Sequence, residues 1–461
     1  MSGTIQPGLF GDDPESGAAV AGAVLERAPV AGVRRVLWPN RTQIELRPCD
    51  LESLLPEGHR ARLVWVWVER ADLSAIYASI RAVEGGSGRS AIAPEILFAL
   101  WLYATLEGVG SARALARLTQ SHDAYRWICG GVSVNYHTLA DFRTAHGEAL
   151  DGLLTESVAL LLAEGVVSLK RVAQDGVRVR ASAGAASFRR GETLEGCLEA
   201  ARTQVQALKR QVEDDPSAES RRRQAARKRA ARERQERLER ALARLPEMAE
   251  IKAKQGKLRE QARVSSTDPE ATVMKMGDGG FRPAYNGQFT TDTDTQVIVG
   301  VEAATVGSDS GQLTPMREQV EGRYGKHPAE WLVDGGYAAH EQIEQAAAHT
   351  TVYAPVPKAR DPETNPHARK DSDSEAVAAW RKRMGTEEAK AIYPQRAATA
   401  ECVNALARQR GLTHLRVRGR TKVRCILLLH ALAHNLMRTV ALAPQLLGYG
   451  GGASGQPVMA T

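Results

Sequence analysis

The chain has 461 residues, room for two or more domains and a large core. Its charged fraction of 25% and hydrophobic fraction of 43% are ordinary for a globular protein and exclude collagen-like or wholly disordered classes. With 61 Lys and Arg against 54 Asp and Glu the net charge is +7, which makes nucleic acid a candidate partner.

Residues 1–45 are rich in Gly, Ala, Pro and Asp without periodicity and read as a mobile tail. Residues 46–168 read as a run of helices, an all-α domain with the spacing of a helical DNA-binding unit or of a plain bundle. Within it, "APEILFALWLYATLEG" has Pro94 near a helix start and is apolar nearly all round, the pattern of a buried helix. Ser111 is placed to cap the next helix, which runs toward Gly130 and Gly131. "VVSLKRVAQDGVRVRASA" alternates and is β-branched, predicting a strand that contains Asp175.

The pattern then changes. Residues 191–263 are long, charged and helix-favouring, and Leu194, Leu198, Val205, Leu208 and Val212 form a stripe of coiled-coil kind. "EDDPSAES" is a turn signal, so the stretch predicts a projecting helical hairpin, whose Arg-rich second half is either a phosphate-touching face or a solvated one. After it the expected order is strand, strand, helix, strand, helix, strand, with "EWLVDGGY" as the strand that leads to Asp334. Together with the Asp175 strand this is a mixed α/β unit over residues 169–440. It closes on a polar stretch, a basic run and the apolar helix "LLLHALAHNLMRTVALAP". Residues 441–461 read as a disordered tail.

The five cysteines, Cys49, Cys129, Cys197, Cys402 and Cys425, form no C-x-x-C pair, which argues against a zinc or disulfide framework and fits a reducing cytoplasm. No segment reads as long enough to span a bilayer. The best candidate, residues 96–106, is about half of the ~20 apolar residues required. The N-terminus lacks a secretory pattern. "GDGG" at Gly277 reads as a turn, and without a Walker motif or dinucleotide fingerprint no nucleotide cofactor is expected. His137, His146, His430 and His434 invite a metal or base role. The pair His430 and His434 brackets Ala-Leu-Ala with no Glu, so core histidines are the better reading.

Three carboxylates have unusual settings. Asp175 lies within a strand, Asp334 ends one before Gly335 and Gly336, and Glu401 lies on a helix after "YPQRAATA". Hard oxygen ligands of this kind suit Mg²⁺ or Mn²⁺, and a pair of such ions about 4 Å apart is the device for phosphodiester cleavage. Spacing alone does not single these three out from 54 acidic residues.

Several ordered stretches carry a resemblance: "QDGVRVRASA", "STDPEATVMKMGDGGFRPAYNGQ", "GSDSGQLTPM", "LVDGGYA" and "YPQRAATAECVNALARQRGLTHLRVRGRTKVR", together with "GRSAIAPEILFALWLYATLEG" near the start. With these the chain resembles the DDE transposases of bacterial insertion sequences. The nearest likeness is to the IS-eleven-eighty-two type within the IS-four and IS-five assemblage, over nearly all but the two tails. The resemblance implies an RNase H-like mixed sheet flanked by helices. It implies a metal-binding triad of Asp175, Asp334 and Glu401 and two Mg²⁺ (or Mn²⁺) ions. It also implies DNA partners (inverted repeats and target) and a homodimer or larger synaptic assembly. Tyr393, Arg396 and Arg408 take the places of the Tyr, Arg and Lys that accompany the Glu. Two departures stand out: four residues instead of three separate Arg396 from Glu401, and Arg408 replaces a Lys. The basic run holding Arg418, Arg420 and Lys422 is placed to grip backbone phosphates. The rival reading is a catalytically silent repressor derived from such an enzyme.

Overall fold

The computed structural model describes residues 50–83, 90–214, 218–359 and 363–448. The expected N-terminal tail, Cys49 and residues 449–461 lie outside these.

The first part is helical: Arg60–Glu69, Ser74–Tyr77, Pro94–Leu106, Ala112–Ser121, Asp123–Cys129, Tyr136–Ala145 and Gly147–Ala163. Local chemistry sets the boundaries. Pro94 opens its helix, where its missing N–H costs nothing. Ser111 Oγ accepts from Ala114 N at 3.3 Å. Gly130 ends Asp123–Cys129 in the left-handed region at φ 54°. Every residue of Pro94–Leu106 except Glu95 is buried, as its all-round apolar sequence predicts.

Eight strands follow: β1 Arg171–Arg180, β2 Phe188–Arg189, β3 Val264–Ser265, β4 Thr272–Lys275, β5 Phe281–Asp292, β6 Ile298–Ala304, β7 Glu330–Leu332 and β8 Thr351–Tyr353. β1 and β5 pair antiparallel along nearly their whole length, with Asp175 opposite Phe289. The other edge of β5 carries β4 and β6, both antiparallel. On the far side of β1 come β7 and then β8, both parallel, reached through the helices Leu313–Tyr324 and His340–Ala347. The result is a six-stranded mixed sheet in which three long antiparallel strands and the short β4 are joined to two short parallel strands, consistent with an RNase H-like DDE domain. β2 and β3 form a separate two-stranded ribbon at the base of the insertion.

A single apolar cluster runs from the first helices into the sheet, taking in Leu100, Leu154, Val177, Phe289, Val301 and Leu428. Its centre is the helix Arg420–Leu442. Asn435 on this helix accepts from Ile298 N at 2.8 Å and donates to Ile298 O at 2.7 Å, so it pairs with the edge of β6 as a strand would. At 23 residues with a hydropathy of 1.5, this helix is long and apolar enough to cross a membrane, which corrects the sequence reading that no segment is. Its buried, hydrogen-bonded His434 and Asn435 and its packing within the core explain that composition without a membrane. The chain also stays ordered past residue 440. The helix runs on to Leu442, and a 3₁₀ turn at Pro444–Leu447 buries Leu447.

The insertion forms two helices, Gly191–Asp214 and Ala218–Lys254. They run antiparallel: Arg202 faces Glu239 at 3.8 Å and Arg234 donates to Gln204 at 3.4 Å. The predicted stripe turns inward, with Leu194 and Leu198 against Leu238, Ala241 and Met248 in a cluster of their own. The side chain of Val212 lies outside the described residues. Arg244 anchors the second helix to the body through Pro269 O at 2.7 Å and Thr272 Oγ1 at 3.2 Å.

Candidate active site

β1 carries Asp175 in mid-strand, where the antiparallel pairing with β5 fixes its backbone. Its Oδ1 accepts from Gly176 N at 2.9 Å and its Oδ2 from Asn404 Nδ2, also at 2.9 Å. Burial pushes the Asp175 pKa upward, opposed by the Arg396 guanidinium. β7 ends at Leu332, and one further ladder bond, Val333 N to Tyr353 O at 3.0 Å, carries the chain to Asp334. Asp334 therefore sits in the turn just beyond the strand. There its Oδ1 accepts from Gly336 N at 2.7 Å and 40% of its side chain stays exposed. Glu401 is the last residue of a π-helical turn, Ala397–Glu401, which runs on into the α-helix Cys402–Gln409.

Arg396 joins the three. Its Nη2 lies 3.3 Å from Asp175 Oδ1 and 3.9 Å from Asp334 Oδ2, and its Nη1 donates to Glu401 Oε1 at 3.3 Å. Burial alone would lower its pKa, but Asp175, Tyr393, Asp334 and Glu401 together hold it raised. The one-residue excess between Arg396 and Glu401 is taken up by the π-turn. Its i→i+5 bonding brings a residue five along onto the face that i+4 occupies in an α-helix. The insertion therefore leaves the Arg–Glu contact intact.

The residues expected to touch DNA divide. Tyr393 donates its hydroxyl to Val333 O at 3.2 Å, which braces the backbone just before Asp334. Arg396 is buried among the acids. Arg420 is tied to the body, its backbone N–H donating to Glu270 Oε2 at 2.9 Å, its Nε to Ala303 O at 2.9 Å and its Nη2 lying 3.3 Å from Glu302, while its side chain stays 53% exposed. Arg418 donates to Ser182 O at 3.1 Å yet remains exposed, as do Arg408 and Lys422.

Two residues of the site escape the sequence reading. Asn404 lies three residues after Glu401, a spacing that puts both on one helix face and was the available signal. Asp309, in the loop after β6, accepts from Asn286 Nδ2 at 2.7 Å and Gln288 Nε2 at 3.0 Å, and Arg178 Nη2 lies 3.5 Å from its other oxygen. It lies against Gly176 and Gly336, the glycines that follow the two aspartates. No spacing could have revealed this tertiary contact.

The donor set fits divalent cations: three carboxylates converge, and beside them the acceptor Asn404 Oδ1 is buried without a partner. His430 and His434 do not belong to it. Burial lowers their pKa values to about 3 and about 4, and His434 is neutral against Gln296 O at 2.8 Å. A separate group, Glu321, His327 and His349, brings possible ligand atoms within 4.8 Å of one another but contains none of the three acids. The four described cysteines are free.

Two family models match the chain: a transposase domain (DUF772) over residues 49–145 and a transposase DDE domain over residues 358–440. Both descriptions are of transposases, and together they support an insertion-sequence DDE transposase. The DDE match holds Glu401, Tyr393, Arg396 and Arg408. Asp175 and Asp334 lie in the stretch between the two matches and meet Glu401 only through the fold. The transposase domains support transposase function, and the DDE family implies divalent metal use and DNA as partner. Neither the curated proteins nor the solved structures hold a match to the chain.

Proposed function

We propose that this transposase, of the IS-eleven-eighty-two type, binds the inverted repeats of its element, cleaves at the ends and joins the freed 3′-hydroxyl to target DNA. The observation that carries the reading is the convergence of Asp175, Asp334 and Glu401, from three distant segments, on the single guanidinium of Arg396. These acids would hold two Mg²⁺ (or Mn²⁺) ions, which when bound activate the hydroxyl nucleophile and stabilise the leaving oxygen.

The chain's own residues do the rest. Asn404 fixes the rotation of the Asp175 carboxylate, and Tyr393 fixes the backbone ahead of Asp334. Arg396 balances the charge of the acids and keeps them within one guanidinium's span. The exposed Arg408, Arg418 and Lys422 are available to backbone phosphates. In this reading residues 169–440 form an RNase H-like catalytic domain, residues 46–168 a helical DNA-binding domain, and the hairpin within 191–263 an assembly element for a homodimer or larger synaptic complex. The enzyme acts in the cytoplasm without a nucleotide cofactor.

The test is cleavage and joining of DNA bearing the element's ends in Mg²⁺, Mn²⁺ and EDTA, with wild type beside Asp175→Ala, Asp334→Ala and Glu401→Ala. Metal-dependent joining by wild type, lost in all three variants while DNA binding persists, is expected. Binding without chemistry in wild type would favour the silent repressor.

A further inference from the structure

A small cavity lies where the first helical segment meets the loop that follows the Glu401 helix. It has a volume of about 40 Å³ and is lined by Trp101, Arg143, Arg410, His414, Arg416 and His430 among others, with no Asp or Glu. Arg143 is 7% exposed. Its Nη1 donates to Gly110 O at 2.7 Å and its guanidinium lies 4.8 Å over the Trp101 ring, but its Nε is buried with no partner. No carboxylate pairs with Arg143, Arg410 or Arg416 among the described residues. A buried cation without a counter-ion is costly, and repulsion from the neighbouring Arg416 adds to that cost, while Arg410 lines the same cavity. Burial and the neighbouring Arg416 lower the Arg143 pKa only to about 10, so it stays charged at neutral pH. An anion is the group such a cavity lacks. The volume admits a few waters or one small tetrahedral anion and is too small for a nucleoside.

We propose that this cavity binds one phosphate group, with Arg143 as its floor and Arg410 and Arg416 as its walls. Planar guanidinium forks suit tetrahedral oxyanions. Arg410 directly follows the helix Cys402–Gln409. Arg416 lies in the loop tied to β1 by Leu415 N to Arg180 O at 2.8 Å. A phosphate here links the first helical segment to the catalytic helix. The source we favour is a backbone phosphodiester of DNA, which rests on the transposase reading; a free phosphate ion has the same chemistry.

The experiment uses the full chain in three forms: wild type, Arg410→Gln and Arg416→Gln. Arg416 is exposed, so its loss spares the core, and circular dichroism checks folding. Inorganic phosphate is titrated at constant ionic strength with melting temperature as readout, and duplex DNA binding is measured across a salt series. We expect a saturable rise in melting temperature in wild type that both variants lose. We also expect the slope of log K against log salt to be shallower by about 0.9 per lost contact in each variant. A phosphate effect with unchanged DNA slopes supports the site and assigns it to the free ion. No phosphate effect in wild type and unchanged slopes would overturn it, leaving Arg143 as a core residue held by Gly110 and Trp101. Failure of wild type to bind DNA at all would count against the transposase reading, while the phosphate titration still decides the cavity.

Discussion

At the residue scale the site depends on side chains that hold other side chains. Asn404 touches Asp175 and no other described acid, so its loss should loosen the carboxylate without removing it. Asn404→Ala is expected to weaken Mn²⁺ binding by roughly 10- to 100-fold while the fold persists. Calorimetric titration checks this, and an unchanged affinity would deny Asn404 its positioning role. Gly176 has a different constraint. A Cβ there would lie 2.6 Å from Asp309 Oδ1 and 2.7 Å from Gln288 Nε2. Those atoms are hydrogen-bonded to each other and cannot yield separately. Gly176→Ala should therefore cost about 1–3 kcal/mol, read as a lower urea midpoint.

At the element scale the π-turn and the start of the last helix matter most. Because the π-turn absorbs one extra residue, deleting the exposed Ala398 should restore α-helical spacing and keep Arg396 against Glu401. Mn²⁺ affinity within a few-fold of wild type is expected, and its collapse would mean that the π-turn itself shapes the site. The helix Arg420–Leu442 begins under two remote carboxylates: Gly419 N donates to Asp268 Oδ1 at 3.2 Å and Arg420 N to Glu270 Oε2 at 2.9 Å. This gives the "STDPEA" stretch a structural purpose. Burial raises the Asp268 pKa, opposed by Tyr285, and its Oδ2 has no partner. For an acid whose folded pKa is raised, the folded state binds the proton more tightly. Stability from this group is then full below the unfolded value of 3.8 and is lost as pH rises through the raised value. Asp268→Asn keeps the acceptor and removes the charge. Its denaturation midpoint should exceed that of wild type at pH 7, with the gap closing as pH falls below that window.

At the scale of the whole molecule, two apolar clusters separate the hairpin from the body. Replacing residues 202–237 by a short turn removes the outer hairpin and leaves the main cluster untouched. Its melting temperature should stay within a few degrees of wild type, while the solution mass should fall if the hairpin serves assembly. Much of this layout was legible in the sequence, because periodicity reports local structure. The buried helix at Pro94, the strand holding Asp175 and the coiled-coil stripe at Leu194 and Leu198 all follow from short-range pattern. The Arg420–Leu442 helix is apolar in sequence, but Arg420, Lys422 and Arg424 mask where it begins and so hide its capacity to span. What stayed hidden was tertiary. Asp309 behind Gly176, the engagement of Arg420 with Glu302, and the inward turn of Tyr393 all join segments far apart in the chain.

The central claim is that Asp175, Asp334 and Glu401 form one metal centre. The most direct test is Mn²⁺ binding followed by electron paramagnetic resonance, with no DNA present, in wild type and the three single alanine variants. The account predicts tight binding in wild type and a loss of at least about tenfold in each variant, most of all for Asp175→Ala, the carboxylate held most deeply in the sheet. Mn²⁺ affinity unchanged in Asp175→Ala or Glu401→Ala would contradict it.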